Sequence, residues 1–415
     1  MHILKPTLAA ITVLVVQVTS QPSAYGDLYS DYDYCQGITS IAHKTYQPIK
    51  NGSLRKVQVI MRHGDRTPST FLPGDNTNYD LCSRPAEYNF VADGDQELRR
   101  TAGPILRSNV LVSTEENLFA AKSPEPQRSV YPQHVHLAHK GVRRELSARI
   151  LSTKPSSIRR RLTLNTYPES IETLILNPAA CPRLGQLYKA FFKTPTFTTY
   201  YKRNYALMQK VNSILGVSHL PDFNSTINAD TIMPRYCNHL PLGCSAQNPK
   251  SCLTAKDAIE GMAEGTFMYY SAVFRYEDSA EQVKRLAVGP FLKSFSASIR
   301  ATVAQNRSNS SQRRDQQRVR PFELYSAHDQ SLDQVLAVIA EPNTPWPAYA
   351  STLIFETWAT HSKTDVIRVL YEGKVVPANP TLNCTLDACP LETFLQFIES
   401  YIPTDISAEC SPTMA

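Results

Sequence analysis

KVQVIMRHGDRTP, residues 56–68, decides how this chain is read. Lys56–Met61 is short and rich in β-branched residues, and it ends at a polar turn, so it predicts a buried strand feeding a loop. Arg62-His63-Gly64-Asp65-Arg66 then sets two guanidiniums around one imidazole, and Gly64 lets the backbone turn tightly enough for all three to face one centre. Arginine presents a planar fork of donors that matches phosphate oxygens. A neutral imidazole between two such charges is suited to attack phosphorus, and the flanking cations favour the unprotonated ring.

A second unit of the same kind lies far downstream. PFELYS, residues 321–326, reads as a strand, is followed by Ala327-His328-Asp329, and leads into the helical pattern SLDQVLAVIA. A His-Asp dipeptide alone is an ordinary helix amino terminus, where the carboxylate caps free N–H groups. Its position after a strand gives it weight. In open parallel α/β sheets ligands bind at the carboxyl ends of strands, so one pocket is expected to receive both polar clusters. Phosphoryl transfer to His63 would leave an alkoxide that needs a proton, and Asp329 is placed to supply it.

The rest of the chain fills in around these units. Thr254 is expected to cap a helix bearing Ile259, Met262, Ala263, Phe267 and Tyr270 at helical spacing. A second helix is expected over Phe291–Val303 and an amphipathic one from Leu391, with strands near Leu353–Trp358 and Val366–Tyr371. The fold class expected is α/β, a central, mainly parallel sheet flanked by helices. Residues 21–149 and 253–415 form the core, and residues 150–252, punctuated by Pro, Asn and Cys, form an inserted, mainly helical cap.

Residues 1–20 read as a signal peptide, a Lys followed by an apolar run too short for an ordinary bilayer span. No other stable membrane span is expected. Nine cysteines, all after this leader, and Asn-x-Ser/Thr sequons at Asn51, Asn224, Asn306, Asn309 and Asn383 point to the secretory pathway, secreted or in the Golgi lumen. The Cys384 to Cys389 spacing suits a local staple, and the turn-rich stretch holding Cys237, Cys244 and Cys252 is expected to hold another. A net charge of +6 is modest, and no nucleic-acid partner is expected. Basic clusters at Arg143–Arg144, Arg159–Arg161 and Arg313–Arg320 are either solvated faces or attractors of an anionic substrate.

VIMRHGDRTP at 59–68, LYSAHD at 324–329, YASTLIFETW at 349–358 and NCTLDACPLETF at 383–394 together resemble the histidine acid phosphatases nearly end to end. The resemblance implies that His63 is the nucleophile, that Arg62 and Arg66 bind phosphate, that His328 adds a donor, and that Asp329 protonates the leaving group. The family's further arginine has its counterpart in AKSPEPQRS at 121–129, which makes Arg128 the sixth site residue although Lys122, Glu125 and Gln127 depart from the family pattern. The resemblance implies no metal or organic cofactor, since fixed arginines supply the cationic clamp. Within the family the chain looks most similar to 2-phosphoxylose phosphatases, so the expected partner is a phosphate monoester such as a phosphorylated saccharide of the glycosaminoglycan linker. A general acid phosphatase or phytase-like enzyme is the alternative. A glycan-binding relative without turnover is a further class, and the mutase branch fits poorly because it lacks the long RHGxRxP form.

Overall fold

The computed structural model describes residues 34–35, 46–63, 171–215, 232–245, 248–262, 267–307, 320–361 and 364–413. The leader, Arg66, Arg128, the clusters at 143–144 and 159–161, and Cys82 lie outside them. Each strand expected from the sequence is present: β1 (Gly52–Arg62), β2 (Phe322–Ala327), β3 (Thr352–Thr360) and β4 (Asp365–Tyr371), joined by the short β5 (Lys374–Val375) and β6 (Cys389–Pro390). The helices are α1 (Pro182–Phe191), α2 (Pro195–Leu215), α3 (Ala280–Arg307), α4 (Asp329–Ile339), α5 (Leu391–Glu399) and α6 (Ile406–Cys410). α3 contains the Phe291–Val303 stretch, and Thr254 Oγ1 accepts from the Asp257 N–H at the head of a helical turn as expected.

The sheet runs β2-β1-β3-β4-β5, with β6 also on β4. Among the described residues it is mixed, whereas the sequence suggested a mainly parallel one. β1 and β2 pair in parallel, and every other pairing is antiparallel. The connections explain part of the difference, the pairings of β4 with β3 and β5. Only a few residues separate β3 from β4 and β4 from β5, and links so short can join antiparallel neighbours alone. The turn between β4 and β5 places Glu372 and Gly373 at φ 53° and 73°, the left-handed pair that a two-residue hairpin needs.

Alternation along the strands gives the sheet two covered faces. Ile60, Tyr325, Leu353 and Phe355 point into the main core with α3, α4 and α5, while Val57, Val59, Phe322, Ile354 and Leu370 form a smaller cluster on the other face. The described part of the expected cap is helical. Leu184, Leu187 and Phe191 of α1 and Phe197, Tyr200 and Met208 of α2 belong to the same main core. The Cys181–Cys410 disulfide ties the start of α1 to α6. The local pairs Cys384–Cys389 and Cys244–Cys252 are both formed, and Cys35 is joined to Cys237.

Three buried polar networks interrupt this apolar packing. Between the sheet and α3, Glu323 receives Gln58 Nε2 at 2.8 Å, Ser298 Oγ at 2.7 Å and Tyr325 OH at 2.9 Å, and it pairs with Lys56 Nζ at 3.2 Å. Burial alone would raise the Glu323 carboxyl, but the Lys56 ammonium and these hydrogen bonds outweigh it and hold the group below its ordinary value. On the opposite face, Glu356 accepts from Tyr46 OH at 2.8 Å and Trp358 Nε1 at 3.0 Å. Beneath α4, Asp333 takes Arg275 Nη2 at 2.8 Å and Nη1 at 3.1 Å, and Ser271 Oγ at 3.0 Å.

Breaking one partner of a buried pair leaves an uncompensated charge, so Asp333→Ala is expected to lower unfolding free energy by about 3–5 kcal/mol in denaturant titrations. Glu323 makes a pH-dependent contribution. Its folded value is depressed, so its stabilisation is complete above the ordinary 4.5 and is lost as pH falls through the lower folded value. Glu323→Gln is therefore expected to be less stable than the parent by roughly 3 kcal/mol at about pH 7. That gap should narrow once pH drops below about 4.5, as paired unfolding curves would register.

Candidate active site

The parallel register of β1 with β2 sets Arg62 opposite Ala327, and the His63 N–H continues the ladder to the Ala327 carbonyl at 3.2 Å. His63 and His328 therefore leave the two strands side by side, with ring centroids 5.5 Å apart and planes at 74°. His328 is extended, φ −120° and ψ 168°, and caps the start of α4. Its N–H donates to Ser331 Oγ at 3.3 Å, while the Gln330 N–H donates to Asp329 Oδ1 at 2.8 Å. The strand-to-helix transition thus sets the amino end of α4, the positive end of its dipole, directly after His328, an arrangement that favours anions.

Arg62 is almost fully enclosed, at 4% exposure. Its Nη1 donates to the Pro347 carbonyl at 2.8 Å, and its Nη2 pairs with Asp329 Oδ2 at 2.7 Å. The segment leading into β3 cradles the Arg62-His63 dipeptide from the other side. The Arg62 N–H donates to the Ser351 carbonyl at 3.0 Å and the Ala350 N–H to the His63 carbonyl at 3.0 Å. Ala350 adopts φ 60° to do so, a left-handed conformation that costs a residue with a Cβ about 1 kcal/mol.

Four of the six residues singled out in the sequence, Arg62, His63, His328 and Asp329, thus meet at the carboxyl ends of two adjacent strands. Arg66 and Arg128 lie outside the described residues. The Arg62–Asp329 pair adds something the sequence did not suggest: the expected phosphate ligand and the expected proton donor hold each other. Also unread from the sequence are the Pro347 carbonyl and the rings of Tyr349 and Tyr34, whose centroids lie 4.1 and 5.7 Å from Arg62 Cζ. YAS at 349–351 was visible as a shared motif, but nothing in its composition signalled contact with Arg62. Among the described residues no cluster of His, Cys, Asp or Glu has the make-up of a metal site.

Comparison with known proteins bears on this arrangement. The family described as histidine phosphatase superfamily (branch 2) matches residues 196–372, a span that includes His328, Asp329 and Tyr349. Counting factor 60 of Dictyostelium discoideum is 23% identical over 405 residues, covering 86% of this chain and 88% of its own. Lysosomal acid phosphatase of Homo sapiens is 23% identical over 376 residues, covering 88% of this chain and 81% of its own. The 2-phosphoxylose phosphatase 1 of Danio rerio is 25% identical over 223 residues, covering only 48% of this chain and 42% of its own. Among solved structures, the phytase from Citrobacter braakii aligns with a TM-score of 0.53 at 14% identity, covering 87% of this chain and all of that one, which is a likeness of fold. The chain is thus similar to the histidine phosphatase superfamily (branch 2) over residues 196–372, and to an acid phosphatase over most of both chains.

Proposed function

We propose that the chain hydrolyses phosphate monoesters of alcohols in two steps through a phosphohistidine on His63. The observation that carries this reading is the placement of His63 beside His328 and the first turn of α4, with Arg62 and Asp329 in contact next to them. In the first step a nitrogen lone pair of His63 attacks phosphorus and the phosphorus–oxygen ester bond breaks. Arg62, His328 and the positive dipole end of α4 carry the growing negative charge, and Asp329 gives its proton to the departing alkoxide. In the second step Asp329 takes a proton from water as the water oxygen attacks phosphorus, and His63 is released with inorganic phosphate. Entry of the phosphoryl group draws Arg62 away from Asp329, so one exchange of partners both seats the substrate and frees the acid. Arg66 and Arg128 complete the clamp in this reading.

For the alcohol we propose a phosphorylated saccharide, supported by the match to 2-phosphoxylose phosphatase over 48% of the chain. A general acid phosphatase is the second reading, favoured by the longer match to lysosomal acid phosphatase. The secretory pathway is the proposed location, supported by four disulfides among the described residues, since such bonds persist in oxidising compartments.

Phosphate release from p-nitrophenyl phosphate and from sugar phosphates tests the activity. His63→Ala should abolish turnover, and substantial residual activity would remove His63 as nucleophile. Asp329→Asn separates the acid from the clamp. An alkoxide needs a proton as it leaves whereas a nitrophenolate departs almost unaided, so the variant should lose at least about tenfold more rate on the sugar phosphate than on the aryl ester. Equal losses on both substrates would return the acid role to another residue.

A further inference from the structure

We propose that Tyr349, backed by Tyr34, is a positioning residue for Arg62, fixing the plane of its guanidinium so that the fork meets a phosphoryl group beside His63. The inference rests on the reading of Arg62 as a phosphate ligand. A guanidinium recognises phosphate through two parallel N–H bonds, and this match is lost when its plane rotates. Two contacts within that plane are already present, Nη1 to the Pro347 carbonyl at 2.8 Å and Nη2 to Asp329 at 2.7 Å. The second is the contact that phosphate displaces, so once substrate is seated it no longer restrains the plane.

What remains besides the single Nη1 bond to Pro347 is the constraint out of the plane. The Tyr349 ring centre lies 4.1 Å from Arg62 Cζ, inside the range of a cation over an aromatic face, and Tyr34 approaches at 5.7 Å. Both rings are themselves fixed. They pack edge to face at 6.2 Å, and the Tyr349 N–H donates to the Tyr34 carbonyl at 3.3 Å. Tyr34 is anchored by the disulfide of its neighbour, Cys35–Cys237, and Tyr349 by the left-handed turn at Ala350 that binds the His63 carbonyl. The Tyr349 ring also lies 5.9 Å from the His63 ring, so one side chain touches both the cation and the nucleophile. Trp346 and both tyrosines belong to a cluster with Val211, Ile232 and Met233 that is separate from the main core, which places a second body of packing directly behind the site.

An aromatic ring in a core cluster has a plain packing role as well, so the test must read what packing does not move. Inorganic phosphate binding to the full chain, measured by calorimetry, reports the fork directly and does not depend on turnover. Tyr349→Leu keeps apolar bulk but removes the π face, and should weaken phosphate binding by about tenfold or more, in keeping with a largely desolvated cation–π contact. Tyr349→Phe should restore binding to within about threefold of the parent, because the ring and not the hydroxyl faces Arg62. In an Arg62→Lys background, which keeps the charge but loses the planar fork, Tyr349→Leu should cost less than about threefold. Thermal unfolding reports whether each variant is folded; should Tyr349→Leu not be, Tyr34→Leu approaches the same guanidinium from the other ring and carries the same expectation.

A folded Tyr349→Leu that binds phosphate like the parent, an equal loss in the Arg62→Lys background, a failure of Phe to restore binding, or a parent that binds no phosphate would each overturn the inference. The hydrolytic reading is judged separately by His63-dependent phosphate release. Intact turnover in the parent with an unaffected Tyr349→Leu would sink the positioning role alone.

Discussion

The parallel register of β1 against β2 is the constraint on which the site depends. Side chains alternate along a strand, so a slip of one residue would exchange the faces of Arg62 and His63 and carry His328 away from both. The register is pinned at the far end of the same two strands, where Lys56 and Gln58 of β1 meet Glu323 and Tyr325 of β2 beneath Ser298 of α3. A polar cluster with each partner satisfied is sensitive to alignment in a way that interchangeable apolar contacts are not. The residues that fix the pairing and the residues that use it thus lie at opposite ends of one short ladder.

From that ladder the remaining parts follow in order. The end of β2 turns into α4, whose first residue is Asp329 and whose next turn carries Asp333, held from below by Arg275 and Ser271. The carboxylate that pairs with Arg62 and the carboxylate that anchors the helix are therefore spaced by one helical repeat. On the flank, β3 begins with the segment that binds the backbone of Arg62 and His63, so the antiparallel partner of β1 contributes to the site through carbonyls and N–H groups where β2 contributes side chains.

Much of this was legible because it is encoded locally. A β-branched run ending in a charged cluster gives β1 as a buried strand with chemistry at its end, and the alternating Phe322 and Leu324 before Ala327-His328-Asp329 mark β2. α5 carries its amphipathic spacing in a few turns, and the Cys384–Cys389 staple spans a single loop. Pairing direction was not legible from the two strands that dominated the reading, since the sheet is mixed through the long-range antiparallel pairing of β1 with β3 and the short connections around β4. Nor was the neighbourhood of Arg62. Tyr34 and Tyr349 are distant in sequence, a tyrosine in a core and a tyrosine on a guanidinium look alike as letters, and Cys35 meets Cys237 across 202 residues with no spacing rule to connect them. Arg66 and Arg128 lie outside the described residues, so the full clamp stays an expectation from the motif.

The two carboxylates buried on opposite faces of the sheet respond oppositely to acid. Burial raises Glu356, and its bonds from Tyr46 and Trp358 and the Arg368 charge do not offset that rise, so its folded state favours the proton. As pH falls through that raised value towards the ordinary 4.5, Glu356 takes up a proton and the cost of burying its charge disappears, a gain in stability. Glu323 on the other face loses its contribution only at lower pH. These two groups therefore contribute first a gain and afterwards a loss as pH falls.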